Sequence, residues 1–381
     1  MGASILKLLV VVCVCMVVLS SGIAVEKLNL TPYFVIAPKL VYIPRYVPRD
    51  ADISFLKVDK NLLGELEGNH RKPSGARNFD VDADGVIYIP YGDDSEYVYL
   101  IDIFHTRASE WNSTIYKWKI EEMKRYGHVV SKVSIAPSGH IYVISRGPAY
   151  TFIFSPDRKL LHSCILGYTF DGDTIISKNG TVYMSEGCEI PTQVSEGFLR
   201  YNVTDVFKIE SVEKRLVNGA HYAFVSFNDE EELKKKNRTS WAMVGRDKEG
   251  NVYVVVQEED LEELKSISHG IPSPVKWSLW KREDKGKFRK LVEKENPGYR
   301  ILDFTASIDG YIYALLEEFG SNYYIAKISM KDLKVQGLYN ITASYPKNFP
   351  MDIKIADLKD ARYIYVLDWL YPRLVVFREE D

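Results

Sequence analysis

An all-β fold built by repeating one hairpin is what this sequence predicts, and three observations carry it. A Gly followed by an alternating apolar run ending in Tyr recurs five times: Asp84-Gly85-Val-Ile-Tyr88, Ser138-Gly139-His-Ile-Tyr142, Asn179-Gly180-Thr-Val-Tyr183, Glu249-Gly250-Asn-Val-Tyr253 and Asp309-Gly310-Tyr-Ile-Tyr313. Two further copies lack the Gly, Lys39-Leu-Val-Tyr42 and Arg362-Tyr-Ile-Tyr365, and the seven tyrosines are separated by 46, 54, 41, 70, 60 and 52 residues. Around each copy lie short runs of β-branched and aromatic residues, as expected of strands that pack on both faces. A repeat of this length whose sheet cannot bury both faces alone is stable when copies stack radially, each covering the next. The expected architecture is a β-propeller of seven four-stranded blades, with six as the alternative.

Each unit reads in order as an apolar strand, a two-residue Asp-Gly or Asn-Gly turn, a second strand ending beyond the Tyr, and outer strands. Third strands are expected at Tyr97 to Phe104, Thr151 to Phe154, Tyr323 to Ile328 and Leu374 to Phe377, and a fourth at Leu160 to Leu166. The last unit stops at Phe377-Arg-Glu-Glu-Asp381 after three strands, so the segment Val25 to Thr31 is expected to supply its outer strand and join the two ends of the chain in one blade. The long intervals hold charged insertions, Asn228 to Asn237 and Glu258 to Lys265; the second has the spacing of a short helix through Leu261 and Leu264.

These units resemble the NHL-type propeller repeat, whose second strand ends in Tyr-Val-x-Asp and is followed by an Arg before another apolar strand. Tyr365-Val-Leu-Asp368-Trp-Leu-Tyr-Pro-Arg373-Leu-Val-Val-Phe377 follows that pattern. The unit from Asn78 to Tyr88 matches its first half, but Pro90 and Tyr91 replace the expected end. The resemblance implies a fold and no particular activity.

Residues 1–24 stand apart. Lys7 precedes an unbroken apolar run from Leu8 to Leu19, followed by Ser20, Ser21, Gly22 and Ala24. This is the pattern of a signal peptide cleaved after Ala24, or of an anchor if the segment is retained. The single propeller domain is then 25–381. Six acceptor sequons, at Asn29, Asn112, Asn179, Asn202, Asn237 and Asn340, exceed the roughly 1.6 expected by chance and point to a glycoprotein secreted or anchored at the outer face of the membrane. Asn179-Gly180 also reads as a hairpin turn. Cys164 and Cys188 are the two cysteines outside the apolar run and form a candidate disulfide, with two separate buried thiols as the other reading. A net charge of −3 argues against nucleic acid as a partner and against a membrane surface beyond the N-terminal segment.

Ligands of propellers commonly sit at a channel mouth, so the residues following each repeat Tyr are the candidates. Most are acidic: Asp93 and Asp94, Glu186, Glu258 and Glu259, Glu317 and Glu318, and Asp368. Converging oxygens of this kind suit Ca²⁺ or a basic partner; dispersed, they are solvated loop charges. Asp80-x-Asp82-x-Asp84-Gly85 imitates the start of an EF-hand loop, but Tyr91 stands where a bidentate Glu is required. Asn78, Asp173, Asp303 and Asp352 fall where strands enter the channel, as site residues or as polar strand starts. No nucleophile elbow and no paired His or Cys metal spacing is present in the sequence. The expected function is therefore a recognition or scaffold propeller for an extracellular protein, glycan or cation. The alternative is a Ca²⁺-type lactonase or esterase with carboxylates at the channel mouth.

Overall fold

The computed structural model describes residues 26–36, 78–90, 96–107, 115–126, 129–146, 150–165, 174–185, 222–225, 236–260, 262, 274–283, 288–318, 322–344, 350–368 and 373–380. They form a β-propeller of successive, mainly antiparallel sheets. The first holds β3 (Asp80–Val81), β4 (Ile87–Pro90), β5 (Tyr97–Ile101) and β6 (Ile115–Lys119). The second holds β7 (Val129–Ile135), β8 (Ile141–Arg146), β9 (Tyr150–Phe154) and β10 (Leu160–Ile165). A three-stranded sheet follows, β11 (Thr174–Ile176), β12 (Val182–Ser185) and β13 (Tyr222–Val225). The fourth is β14 (Arg238–Arg246), β15 (Val252–Asp260), β16 (Lys276–Arg282) and β17 (Phe288–Glu295). The fifth is β18 (Arg300–Ala306), β19 (Tyr311–Glu318), β20 (Asn322–Ser329) and β21 (Val335–Asn340), extended by β1 (Glu26–Lys27). The sixth is β22 (Pro350–Asp357), β23 (Arg362–Asp368) and β24 (Arg373–Glu379), completed by β2 (Leu30–Ile36).

The expected count of seven four-stranded blades, or six, is thus corrected: among the described residues five sheets are complete and one has three strands. The three-stranded sheet falls in the 70-residue interval between Tyr183 and Tyr253. There β12 pairs with β13 in parallel, a connection that needs a crossover and not a hairpin. Six repeat tyrosines, at 88, 142, 183, 253, 313 and 365, sit on the second strands; Tyr42 lies outside the described residues.

The turns differ from expectation as well. In each Gly copy the Gly N–H returns to the carbonyl three residues back, as from Gly85 to Asp82 at 3.0 Å, and the Asp82 N–H reaches the Val86 carbonyl at 3.1 Å. Only the Gly has positive φ, between 77° and 88° at positions 85, 139, 180, 250 and 310. These are three-residue loops, a type I turn followed by a left-handed Gly, and not the two-residue turns read from the sequence.

Strand alternation divides the core between seams. On β19, Ile312, Ala314 and Leu316 pack with Met243, Val255 and Leu279 of the fourth sheet. Tyr313 and Leu315 point the other way, to Ile353, Ile364 and Phe377 of the sixth. Phe79, Ile87 and Tyr99 of the first sheet pack on Tyr365, Leu374 and Val376 of the sixth, so the ring of sheets closes on itself. The chain ends meet as expected, though five residues later: β2 pairs antiparallel with β24 from Leu30 to Ile36. Glu26 and Lys27 instead pair in parallel with Gly337 and Leu338. Leu28 and Leu30, both buried, bridge the two sheets.

Candidate functional site

The inner strands carry polar side chains whose first task is to hold neighbouring blades. Asn78 Oδ1 accepts the Val133 N–H at 2.9 Å and Asp80 Oδ2 the Ile135 N–H at 2.7 Å, joining the first sheet to the second. Asp303 Oδ2 accepts the Ile353 N–H at 2.7 Å, and Asp352 Oδ2 the Phe79 N–H at 3.2 Å. Gln257 clamps one backbone position of the next blade from both sides, accepting the Ile301 N–H at 2.7 Å and donating to its carbonyl at 2.8 Å. An edge N–H buried in a seam is costly unless paired, and these side chains pair it. Asn78, Asp303 and Asp352, proposed at channel entry, are therefore seam acceptors; Asp173 lies outside the described residues.

Two cations enter the channel among these carboxylates. Lys354 pairs with Asp352 and lies 3.8 Å from Asp303. Burial alone would lower its pKa, but Asp352, Asp303 and Asp80 together raise it, so it stays protonated. Arg246, from the fourth sheet, crosses to the opposite side, donating to the Ile135 carbonyl at 2.6 Å and standing 3.6 Å from Asp80.

At the end of the blades where the Gly turns lie, the channel widens into a vestibule of about 380 Å³. Ala83, Pro137, Phe304, Ile308 and Ala356 form an apolar collar, and Arg107, Arg246, Lys248 and Lys354 supply basic groups. Two carboxylates here, Asp82 and Asp247, are spent mainly on their own turns. Asp82 accepts from the N–H groups of Asp84 and Val86, both at 3.0 Å, from the Tyr88 hydroxyl at 3.2 Å, and pairs with Arg107 at 3.2 Å. Burial raises its pKa, opposed by Arg107. Asp247 repeats the pattern with the N–H groups of Glu249 and Asn251, the Asn251 amide and the Tyr253 hydroxyl. Burial, with Asp247 beside it, pushes Tyr253 up to about 12. The EF-hand resemblance of Asp80 to Asp84 is thereby explained as turn and seam bonding.

Of the acidic residues read from the sequence, those among the described residues fall at the opposite end. Glu258 and Glu259 belong to β15 and not to a helical insertion, because β15 runs on to Asp260. Glu258 is buried and pairs with Arg238 at 3.1 Å and with Lys276. Glu259 is buried against Arg300, whose Nη2 stands 2.5 Å from Oε1, and accepts the Trp241 indole N–H at 2.9 Å. Glu317 is buried, and its Cα stands opposite that of Arg300 in the ladder. Burial raises the pKa of both Glu259 and Glu317, with Arg300 opposing. Asp368 is buried at the end of β23, and in backbone register with Arg373. Glu258, Glu317 and Asp368 thus lie buried at strand ends, Glu258 paired within its own sheet, while Asp93, Asp94 and Glu186 lie outside the described residues. No group of three His, Cys, Asp or Glu side chains able to hold a metal is found among the described residues.

Arg246, Lys354, Gln257 and Arg300 were not singled out from the sequence. Gln257 did carry a signal, as a polar residue ending the apolar run Val252 to Val256. The cations carried little, since each has a partner on another blade, 41 or more positions away. Of the sequon residues, Asn29 and Asn179 are exposed, Asn237 and Asn340 half-buried, and Asn112 and Asn202 lie outside the described residues. The Cys164 side chain and Cys188 also lie outside them, as does the N-terminal apolar run. Among the described residues no helix is long and apolar enough to cross a membrane.

No protein-family model matches the chain, and no curated protein matches it by sequence. Solved structures do. A chain of the mitotic checkpoint complex aligns over 93% of this chain and 98% of its own length, with 10% identity and a TM-score of 0.42. A catalytically inactive virginiamycin B lyase from Staphylococcus aureus, solved with quinupristin, aligns over 81% and 96% with 8% identity and a TM-score of 0.39. TolB from Acinetobacter baumannii aligns over 81% and 63% with 10% identity and a TM-score of 0.33. Likeness at this level assigns no activity, and the propeller itself rests on the sheets and seams described above.

Proposed function

We propose that this chain is an exported, glycosylated recognition propeller of NHL-like type, secreted or held at the outer face of the membrane by residues 1–24, which binds an extracellular protein or glycan. The observation that carries this reading is the commitment of the channel carboxylates. Asp80, Asp303 and Asp352 each accept a neighbouring blade's N–H, so the oxygens a lactonase or esterase would converge on substrate or Ca²⁺ are spent on holding the ring. Among the described residues these channel carboxylates are committed to holding the ring, an arrangement that suits binding better than turnover.

The test uses the full chain produced in a secretory host. Retention of the purified protein on intact cells, lost after their surface protein or glycan is stripped, is the expected result. Hydrolysis of lactone or ester substrates with added Ca²⁺, abolished by Asp303→Asn at unchanged melting temperature, would replace the recognition reading with the hydrolase one. On the recognition reading Asp303→Asn instead lowers the melting temperature, because the amide is a weaker acceptor for the Ile353 N–H and leaves Lys354 with one fewer anionic neighbour.

A further inference from the structure

We infer that the vestibule at the Gly-turn end of the channel binds a carboxylate carried by a group of monosaccharide or side-chain size. This deepens the recognition reading and rests on it. In three ion pairs around the cavity the base is more accessible than the acid, while Asp84 on Arg107 and Asp357 on Arg362 are the reverse, at 52% against 24% and 20% against 14%. Arg107 is 24% exposed against 7% for Asp82, Arg246 16% against 6% for Asp80, and Lys248 54% against 20% for Asp357.

Carboxylates outnumber bases nearby: Asp80, Asp82, Asp84, Asp247, Asp303, Asp352 and Asp357 stand against Arg107, Lys132, Arg246, Lys248 and Lys354. What an incoming group touches, however, is set by free hydrogen-bonding capacity. A carboxylate offers about four lone-pair sites, and Asp82 and Asp247 each already have four donors. Asp80 holds the N–H groups of Val81 and Ile135 and the Ser134 hydroxyl. Arg246 is the reverse case. Of its about five N–H groups, those that hydrogen-bond reach the carbonyls of Ile135 and Asp247, at 2.6 and 3.4 Å, while Asp80 at 3.6 Å is beyond hydrogen-bond length.

Lys248, two residues on at the rim, meets Asp357 at 3.4 Å, and that carboxylate is already held by Arg362 at 2.6 Å. Thr174 also lines the cavity, and its hydroxyl is buried without a hydrogen-bond partner. Guanidinium donors, an ammonium at the rim, a spare hydroxyl and an apolar collar together suit an acid with a compact body, bound through a charge-assisted hydrogen bond.

Calorimetric titration of the full chain with glucuronate and with N-acetylglutamate, beside their neutral counterparts glucose and N-acetylglutamine, tests this and separates a sugar acid from an acidic side chain. We expect at least one acid to bind tenfold or more tightly than its neutral counterpart. Lys248→Gln, at an exposed rim position, should weaken that binding severalfold with the melting temperature unchanged. Arg246→Gln should abolish it, and Lys248→Gln decides the matter if Arg246→Gln fails to fold. Equal affinity for acid and neutral probes, no heat with any probe, or binding indifferent to Lys248→Gln would each overturn the assignment. Cell retention that persists without carboxylate binding would leave the recognition reading standing and place the partner elsewhere; loss of both would remove the two together.

Discussion

The two ends of the blades use acidic residues in opposite ways. At the Gly-turn end, Asp82 and Asp247 are satisfied almost wholly by donors within six residues of themselves, so the sequence motif and its function coincide. At the other end, the buried Glu259 depends on Arg300 in a different blade, and Glu317 lies on the strand paired with that of Arg300. A short acidic motif followed by Gly is therefore local structure here. An acidic residue at the end of an apolar strand is a seam element whose partner the motif does not disclose.

The contrast can be broken most severely at Arg300. Arg300→Met should leave the buried Glu259 without its ion partner and cost about 3–5 kcal/mol in denaturant unfolding, more than any single change at the turn end other than a steric one. A loss under about 1 kcal/mol would mean that the seam carboxylates are not electrostatically dependent on it.

Glycine substitution provides the steric comparison. Gly250 and Gly310 share nearly the same φ, 77° and 88°. A Cβ on Gly250 would lie 2.5 Å from the Lys178 backbone N and 2.6 Å from Pro137, whereas one on Gly310 meets nothing within 4 Å. Gly310→Ala should cost about 1–2 kcal/mol for the left-handed backbone alone. Gly250→Ala adds a contact with backbone that cannot yield and should cost about 3 kcal/mol or more. Equal losses by thermal melting would show that the turns of the third and fourth sheets do not touch.

A smaller effect is expected at the repeat tyrosine. Tyr253→Phe removes one donor from Asp247 and should cost about 1 kcal/mol. Tyr365→Phe should cost less, because its hydroxyl reaches the Gly85 carbonyl only at 3.4 Å.

The finest test is the pH dependence of the seam. Burial raises the pKa of Glu317 in the folded chain above its ordinary 4.5. Its contribution to stability is present in full below the unfolded value and is lost as pH rises through the folded one. Melting temperature measured upward from pH 4.5 should fall less steeply in Glu317→Gln than in the parent chain. A parallel pair of curves would show that Glu317 titrates alike in the folded and unfolded states.

What the sequence by itself determined is what is local or periodic. The repeat placed six tyrosines on second strands, alternation marked the core faces, and the truncated last unit foretold that the N-terminal segment would complete it. These are legible because a strand, a turn and an Asp bonding its own turn are fixed by neighbours a few residues apart. The tertiary structure alone decided the number of complete sheets among the described residues, the three-residue form of the turns, the roles of Asn78, Asp303 and Asp352 as seam groups, and the burial of Glu258 and Glu317 at strand ends. It also decided that Asp82 and Asp247 in the described vestibule are each saturated with four donors, although acids there outnumber bases. The physical reason is that a polar side chain spends its hydrogen bonds on whatever the ring brings within about 3 Å, and residues such as Asp352 and Phe79, 273 positions apart, become neighbours only when the ring closes.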